Sequence, residues 1–300
     1  MYEIVPFGGW NNCIKLVNDQ IELIATLDVG PRIIYFGFKG GQNFFHLVPE
    51  HAGKTGEDVC RLYGGHRLWI APENIPLSYY PDNFPVQYAY ENNVLTLTQK
   101  ESTTGIVKQL EVTLHPHENM ATIIHRFINE GTNTYNISTW GLSMFAAGSR
   151  AIVPQEPYGE GDDYLLPSRS MALWQYTLMS DPRWLWGNRY IQAKHDARYT
   201  SEQKIGMLNK ERWAACHLNG EVFITTFPYD EHAVYPDFMS NNEVYINGNF
   251  LEIETLGPLV HLAPGQTTEH YENWLLAKAQ PDESESSIDK FILPLVKNAF

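Results

Sequence analysis

Short stretches in which apolar and polar residues alternate follow one another along almost the whole chain. They occupy residues 13–16, 21–27, 32–38, 86–91, 94–99, 106–114, 122–128, 135–145, 213–217, 221–226 and 268–276. Alternation with a period of two gives a strand one apolar face and one polar face, and turn residues separate these stretches. An amphipathic helical stripe is absent before residues 287–298. The sequence therefore predicts an all-β fold, a large antiparallel β-sandwich with a short C-terminal helix.

Composition and charge limit the classes of function. The chain has 300 residues, of which 43% are hydrophobic, enough to bury a large core. Lys and Arg number 21 against 35 Asp and Glu, which gives a net charge of −14. A surface of this sign disfavours nucleic acid and anionic membranes as partners. The absence of a long apolar run or a signal-like N-terminus leads us to expect a cytoplasmic protein that does not bind a membrane.

The three cysteines and the aromatic residues add two further indications. Cys13, Cys60 and Cys216 are far apart and odd in number, which indicates neither a disulfide framework nor a clustered zinc site. Aromatic residues make up 13% of the chain, including 8 Trp and 17 Tyr. Flat rings with a polar edge suit sugar faces, although a large β core also uses many of them.

Two irregular segments interrupt the strand pattern. Residues 47–85 and 154–204 are rich in proline, glycine and aromatic residues. Long irregular segments in a compact chain are often functional, and the tryptophan and arginine residues of 154–204 could line a cleft. The pair at 162–163, Asp-Asp, would join a calcium site only if other oxygen ligands converged on it.

A hairpin between residues 242 and 256 places three carboxylates on one face. Asn247-Gly248 suits a two-residue turn, which would put Glu243 opposite Glu252, with Glu254 two residues further along the same face. The other face is apolar and contains Val244, Ile246, Leu251 and Ile253. Like charges that face each other across a strand pair destabilise it, so water, a cation, a basic side chain or a shared proton should offset the repulsion.

Three interpretations of this acidic face are open. It could be a solvated outer sheet face, since exposed acids are common. It could be a polar substrate site in which one glutamate has an altered pKa and acts as a base, which is the interpretation that we favour. A metal held by the three glutamates is disfavoured, because no histidine stands at a fixed spacing from them, and we predict no metal or cofactor.

Several motifs are distributed along residues 13–274. They are Asp-Val-Gly-Pro-Arg-Ile-Ile at 28–34, Tyr-Gly-Gly-His-Arg-Leu-Trp at 63–69, Ala-Pro-Glu at 71–73, Asp-Pro-Arg-Trp at 181–184, Lys-Ile-Gly at 204–206 and the segment 250–259, which contains Leu-Glu-Ile-Glu-Thr at 251–255, followed by Pro-Gly at 264–265. Together they resemble the galactose mutarotase-like superfamily, in particular a bacterial branch with a Gly-Gly-His-Arg-Leu-Trp motif. The resemblance implies a single mutarotase-like β-sandwich domain over residues 1–300. It also implies a free sugar or sugar derivative as the partner, and it leaves a homo-oligomer open.

The resemblance also implies catalytic roles. Mutarotation needs a base for the anomeric hydroxyl and an acid for the ring oxygen. In aldose 1-epimerases the glutamate directly before the threonine is the base, which implies that role for Glu254. His66, beside a glycine pair, is implied as the acid or a sugar ligand. The family's second histidine sits on a central strand, where this chain has Ser-Thr-Trp-Gly at 138–141.

The preferred hypothesis is an aldose 1-epimerase-type isomerase that opens the sugar ring by acid and base catalysis. The alternatives are a sugar-binding protein without catalysis, and a lyase, epimerase or hydrolase that acts on a modified sugar. The predicted binding residues are Arg32, Arg67, Glu243, Glu252, Glu73, Lys204 and Trp140.

Most of these candidates have a structural alternative. Arg32 could pair with a carboxylate or clamp a substrate, and Arg67 could neutralise the acidic hairpin or grip a substrate oxygen. Lys204 could pair with the glutamates, and Trp140 could stack on a sugar or belong to the core. Glu73 is a second possible acid.

A further histidine, His125, alternates with Ile123 and Phe127 along one predicted strand. For His125 a hydrogen-bonded role in the core or on a sheet face is favoured over catalysis. In a regular strand His66 and Arg67 would point to opposite faces, so both reach one site only if the glycine pair introduces a bulge or the segment is a loop.

Overall fold

The computed structural model describes residues 2–156, 159, 161 and 165–299, and the pair at 162–163 lies outside them. Within these residues the chain forms twenty-one strands and three short helices. The strands are β1 Tyr2–Phe7, β2 Trp10–Val17, β3 Ile21–Thr26, β4 Arg32–Phe38, β5 His66–Ala71, β6 Gln87–Glu91, β7 Val94–Lys100, β8 Ile106–Leu114, β9 Met120–Asn129, β10 Tyr135–Phe145, β11 Arg150–Pro154, β12 Met171–Leu173, β13 Trp184–Trp186, β14 Tyr190–Lys194, β15 Gln203–Met207, β16 Trp213–Leu218, β17 Glu221–Thr226, β18 Asn242–Ile246, β19 Leu251–Leu256, β20 Val260–Leu262 and β21 Thr267–Lys278. The helices are α1 Pro236–Met239, α2 Glu285–Phe291 and α3 Leu293–Val296.

The strands form two large antiparallel sheets. The first sheet has the order β1-β2-β3-β4-β5-β10-β19-β18-β15-β12, and β20 pairs with β10. The second has the order β13-β14-β11-β16-β17-β21-β9-β8-β7-β6. Neighbouring strands in the middle of the first sheet come from distant parts of the sequence, so that sheet brings together residues near positions 67, 142, 204, 243 and 254.

The two sheets pack face to face over an apolar core. Phe36 of the first sheet contacts Phe223 and Trp274 of the second, with ring centroids 5.8 and 5.3 Å apart. In β9 buried and partly buried residues alternate without interruption, as expected for a strand with one face on the core. Burial of the alternating apolar residues on these inner faces is the main stabilising contribution to the fold.

Helices α2 and α3 cover the outer face of the second sheet. Ile288, Ile292 and Val296 pack against Trp213 and Ile224 in a separate apolar cluster. The side-chain hydroxyl of Ser284 accepts a hydrogen bond at the N-terminus of α2 and so caps it. The predicted sandwich with a short C-terminal helix is confirmed, although that helix is two short segments, the second of which has a proline in its first turn.

In the described part of the chain no helix is long and apolar enough to cross a membrane.

Candidate functional site

A pocket of about 340 Å³ lies on the face of the first sheet that is turned away from the second. Its floor is formed by β5, β10, β15 and β19 with Tyr245 of β18, and its walls come from both irregular segments. Polar lining residues are Arg67, Glu73, Glu202, Lys204, Glu252 and Glu254. Apolar and aromatic lining residues are Leu62, Trp69, Tyr79, Trp140, Leu142, Trp174, Tyr176, Tyr245 and Phe250. The volume is at the small end for ligand sites, which suits a monosaccharide-sized molecule.

The acidic hairpin forms with a register that differs from the prediction. Glu243 lies opposite Glu254, and Tyr245 lies opposite Glu252, because the connection has four residues rather than two. Asn247 closes this loop, since its side-chain oxygen accepts from the backbone N–H groups of residues 249 and 250 at 2.8 and 3.0 Å. Neither Asn247 nor its glycine neighbour has the positive φ that a two-residue turn requires.

A shift of two residues leaves every side chain on the predicted face. The three glutamates therefore share one side of the sheet, as the alternation predicted, but they are buried rather than solvated. Glu243 is 0% exposed, Glu252 5% and Glu254 1%. Their burial contradicts the alternative of a solvated outer face.

Lys204 compensates two of the three carboxylates. Its ammonium lies 2.7 Å from Glu243 Oε2 and 2.9 Å from Glu254 Oε2. The same nitrogen lies 4.6 and 4.8 Å from the ring centres of Trp140 and Trp174. The two carboxylates raise the pKa of Lys204 more than its burial lowers it, so Lys204 stays cationic at neutral pH.

Arg67 compensates the third carboxylate. Its Nη1 donates to Glu252 Oε1 at 2.9 Å, and its guanidinium lies 4.4 Å from the centre of the Trp69 ring. Burial raises the pKa of the Glu252 carboxyl group, with a smaller contribution from Glu254, while Arg67 opposes the shift. Arg67 thus neutralises the hairpin, which is one of the two roles expected for it, and its side chain also lines the pocket.

The two oxygens of Glu254 have different environments. Oε2 accepts from the indole N–H of Trp140 at 2.8 Å and from Lys204 at 2.9 Å. Oε1 is buried and has no hydrogen-bond partner within the described residues. One oxygen therefore fixes the carboxylate in place, and the other has no partner, in a residue that lines the pocket.

Glu243 lies behind this arrangement and does not line the pocket. Burial raises its pKa well above the ordinary value of 4.5, the nearby carboxylates of Glu254 and Asp237 add to the shift, and Lys204 opposes it. Asp237 belongs to α1, where three consecutive residues adopt left-handed backbone conformations with φ of 49°, 58° and 71°. Backbone strain of this kind clusters at functional sites. Asp237 was not among the site residues predicted from the sequence.

His66 does not lie with the acids, contrary to the prediction. It follows the glycine pair in a regular strand, so it points into the space between the sheets, whereas Arg67 points into the pocket. Its Nε2 lies 2.7 Å from Nε2 of His125, and its Nδ1 lies 2.9 Å from the Ser143 hydroxyl. Burial lowers the pKa of His66 well below 6.5 and nearby cations add to this, so the ring is neutral. His125 is a hydrogen-bonded core histidine, which agrees with the expectation for it.

Arg32 also lies outside the pocket, where it binds a carboxylate. Its guanidinium donates to Asp82 at 2.6 Å and to the backbone oxygen of Gly64 at 2.7 Å, and it is 0% exposed. Of the two roles expected for Arg32, the structure therefore shows that of a structural partner.

The remaining candidates line the pocket. Glu73 accepts a hydrogen bond from the Tyr79 hydroxyl at the rim. Trp140 is 2% exposed, and its N–H orients Glu254. Trp174 and Tyr176 were not identified individually from the sequence, although both belong to the irregular segment whose tryptophan and arginine residues were candidates for lining a cleft.

Comparisons with known proteins show the fold. No family model matches the chain, and no curated protein matches it. A TPR-domain-containing protein from Parabacteroides distasonis superposes with a TM-score of 0.62 and 16% identity over 90% of this chain, which spans only 48% of that protein. A galactose mutarotase-like protein from Lactobacillus casei superposes with a TM-score of 0.57 and 10% sequence identity. The superposition covers 89% of this chain and 100% of that protein. A protein from Klebsiella pneumoniae provisionally named an aldose 1-epimerase superposes with a TM-score of 0.61 and 11% sequence identity. The superposition covers 98% of this chain and 86% of that protein. The chain thus has the galactose mutarotase-like sandwich fold.

Proposed function

We propose that this chain is a carbohydrate-active isomerase of the aldose 1-epimerase type, which interconverts the anomers of a free sugar by acid and base catalysis. The observation that carries the proposal is the asymmetric carboxylate of Glu254. Its Oε2 is held by Trp140 and Lys204, and its Oε1 has no partner within the described residues. A carboxylate with one fixed and one free oxygen is suited to accept the proton of the anomeric hydroxyl.

Glu252 is the acid that we propose for the ring oxygen. It stands two residues from Glu254 on the same face of β19, so both carboxyl groups reach one pocket. Its raised pKa increases the protonated fraction at neutral pH compared with a solvated glutamate. Glu252 takes the role that the family resemblance implied for His66, because His66 lies on the other side of the sheet.

The charges of the pocket support a neutral or amino sugar as the substrate. Both cations of the lining already bind buried carboxyl groups, Arg67 that of Glu252 and Lys204 those of Glu243 and Glu254. Glu73 and Glu202 add negative charge at the rim. A phosphate or carboxylate on the sugar would meet this charge without an unpaired cation among the described lining residues. Aromatic rings on the walls provide apolar surface for the sugar faces.

The experiment measures anomer exchange by NMR saturation transfer for a panel of free aldoses, amino sugars, uronic acids and sugar phosphates. Wild-type protein should accelerate exchange of at least one neutral or amino sugar. Glu254→Gln should lose at least about 100-fold of that rate, the lower end of general-base contributions, and still bind the sugar. Glu91→Gln is the matched control, because Glu91 is exposed on β6 of the second sheet and does not line the pocket, and it should keep the full rate.

Unchanged turnover in Glu254→Gln would remove Glu254 from the mechanism. Binding without exchange in the wild type would support the second candidate, a sugar-binding protein without catalysis. The placement of His66 outside the pocket favours that candidate over a mechanism that uses a histidine acid. Cleavage or epimerisation at a ring carbon, seen as new NMR signals, would instead support a lyase, hydrolase or epimerase.

A further inference from the structure

A cluster of metal-ligating side chains lies between the two sheets, on the opposite side of the first sheet from the pocket. His66 comes from β5 of the first sheet, and His125 and Glu272 come from β9 and β21 of the second. The three residues are 0%, 0% and 1% exposed. One ligand atom from each lies within 4.8 Å of the other two. We propose that these three residues bind a divalent transition metal, most simply Zn²⁺, which ties the two sheets together.

The histidine rings are oriented as metal ligands usually are. His125 Nδ1 lies 3.1 Å from the backbone oxygen of His270, and a carbonyl oxygen can only accept, so Nδ1 carries the proton and the Nε2 lone pair is free to bind. His66 Nδ1 lies 2.9 Å from the Ser143 hydroxyl, and its Nε2 faces that of His125. An oxygen on the outer nitrogen of each ring is the second-shell arrangement typical of metal-bound histidine.

A bound cation would also stabilise the buried carboxylate of Glu272. Its Oε1 accepts from the Thr255 hydroxyl at 2.5 Å, and its Oε2 accepts from the Trp274 indole at 2.5 Å and from Thr225 at 3.3 Å. All three donors are neutral, and among the described residues no lysine or arginine pairs with this carboxylate. A buried carboxylate without a cation is costly, and a bound divalent ion would compensate it.

Space for the ion is provided by Gly141 of the first sheet. A Cβ atom at this position would lie 2.7 Å from Glu272 Oε1 and 2.9 Å from His125 Nε2. The glycine therefore keeps carbon atoms out of the region between these two ligand atoms. Two nitrogens bound tetrahedrally to zinc at about 2.0–2.1 Å stand roughly 3.3 Å apart. The Nε2 atoms of His66 and His125, which are 2.7 Å apart, would therefore separate by about 0.6 Å.

Two imidazoles and one carboxylate form a ligand set that suits zinc. Because the three side chains are buried, the ion would act in folding and stability rather than on a substrate from the pocket. This inference does not depend on the proposed isomerase function.

The test measures metal content and stability of the full-length protein. Wild-type protein, stripped with a chelator and dialysed against Zn²⁺, should retain about one equivalent by elemental analysis and should melt at a higher temperature than the stripped protein. Glu272→Gln should retain less than a tenth of an equivalent. Glu269→Gln, a matched change of an exposed glutamate on the same strand, should bind zinc as the wild type does.

X-ray absorption spectroscopy on zinc-loaded wild-type protein identifies the metal ligands without the Glu272 variant, in case that variant does not fold. It should show histidine and oxygen ligands at about 2.0–2.2 Å. Surface binding is checked with His117→Gln, which removes an exposed histidine beside Asp19 and should not change the zinc content. The proposal would be overturned if only His117→Gln lost its zinc. It would also be overturned if the wild-type protein retained no zinc and its melting temperature did not differ from that of the stripped protein. The histidines and Glu272 would then form a hydrogen-bonded network alone.

Discussion

Removal of the buried ammonium of Lys204 tests how the three glutamates are kept inside the protein. Lys204 is 4% exposed and lies 2.7 and 2.9 Å from oxygens of Glu243 and Glu254. Lys204→Met keeps most of the side-chain volume and removes the charge. The two carboxylates would then remain buried without their cation.

The expected loss of stability is large. Removing one partner of a buried ion pair costs about 3–5 kcal/mol because the other charge remains uncompensated. At about 2 °C per kcal/mol for a chain of this size, the melting temperature should fall by about 6–10 °C. Lys100→Met is the control, since Lys100 pairs with Glu130 on the surface and both side chains are about half exposed. It should change the free energy of unfolding by about 1 kcal/mol or less.

The loss of stability caused by Lys204→Met should depend on pH. In the folded wild type the pKa values of Glu243 and Glu252 are raised. Such groups favour the folded state below their unfolded pKa of about 4.5, and this contribution is lost as the pH rises through the folded pKa. Without Lys204 the pKa of Glu243 should rise further, because the cation now lowers it. The destabilisation of Lys204→Met should therefore be greater at pH 8 than at pH 5.

Urea unfolding followed by circular dichroism at both pH values measures these differences. Glu243→Gln in the Lys204→Met background should restore at least about 1 kcal/mol at pH 8, since one of the two unpaired charges is then absent. A Lys204→Met protein as stable as Lys100→Met at both pH values would refute the reasoning. So would a loss of stability that is the same at pH 5 and pH 8.

Three further changes have expected outcomes. Trp140→Phe removes the N–H that holds Glu254 Oε2. A hydrogen bond to a charged group contributes about 1.5–3 kcal/mol. The kcat for the identified sugar should therefore fall by about 10- to 100-fold, with KM little changed. Arg32→Met leaves its buried carboxylate partner unpaired and should destabilise the fold by about 3–5 kcal/mol in urea unfolding, while sugar affinity of the folded protein, measured by calorimetry, stays unchanged. Gly141→Ala places a methyl group 2.7 Å from Glu272 Oε1 and should lower stability by about 1–3 kcal/mol in the same unfolding assay; a neutral effect would show that the interior cluster is loosely packed.

Local sequence patterns determined most of the secondary structure and the faces of the strands. The limits of β4, β8, β10 and β17 agree with the predicted segments, because strand-forming stretches bounded by turn residues are a local signal. This holds even for β4, β10 and β17, which are buried on both faces. Alternation with a period of two placed the three glutamates of the hairpin on one face. It also implied that His66 and Arg67 point in opposite directions, which the structure shows. The family resemblance, by contrast, led to a shared site for His66 and the acids, and this was wrong.

The pairing of side chains across the sheet was decided by the tertiary structure. Lys204 reaches Glu243 and Glu254 because β15 pairs with β18, and Arg67 reaches Glu252 because β5 and β19 flank β10. Those strands are separated by up to about two hundred residues, and alternation fixes the face of a strand but not its neighbours in the sheet. Whether the acidic face is solvated or buried likewise depends on the two irregular segments that cover it. The sequence alone therefore determined which residues share a face, and only the packing of distant strands and loops determined which charges meet there.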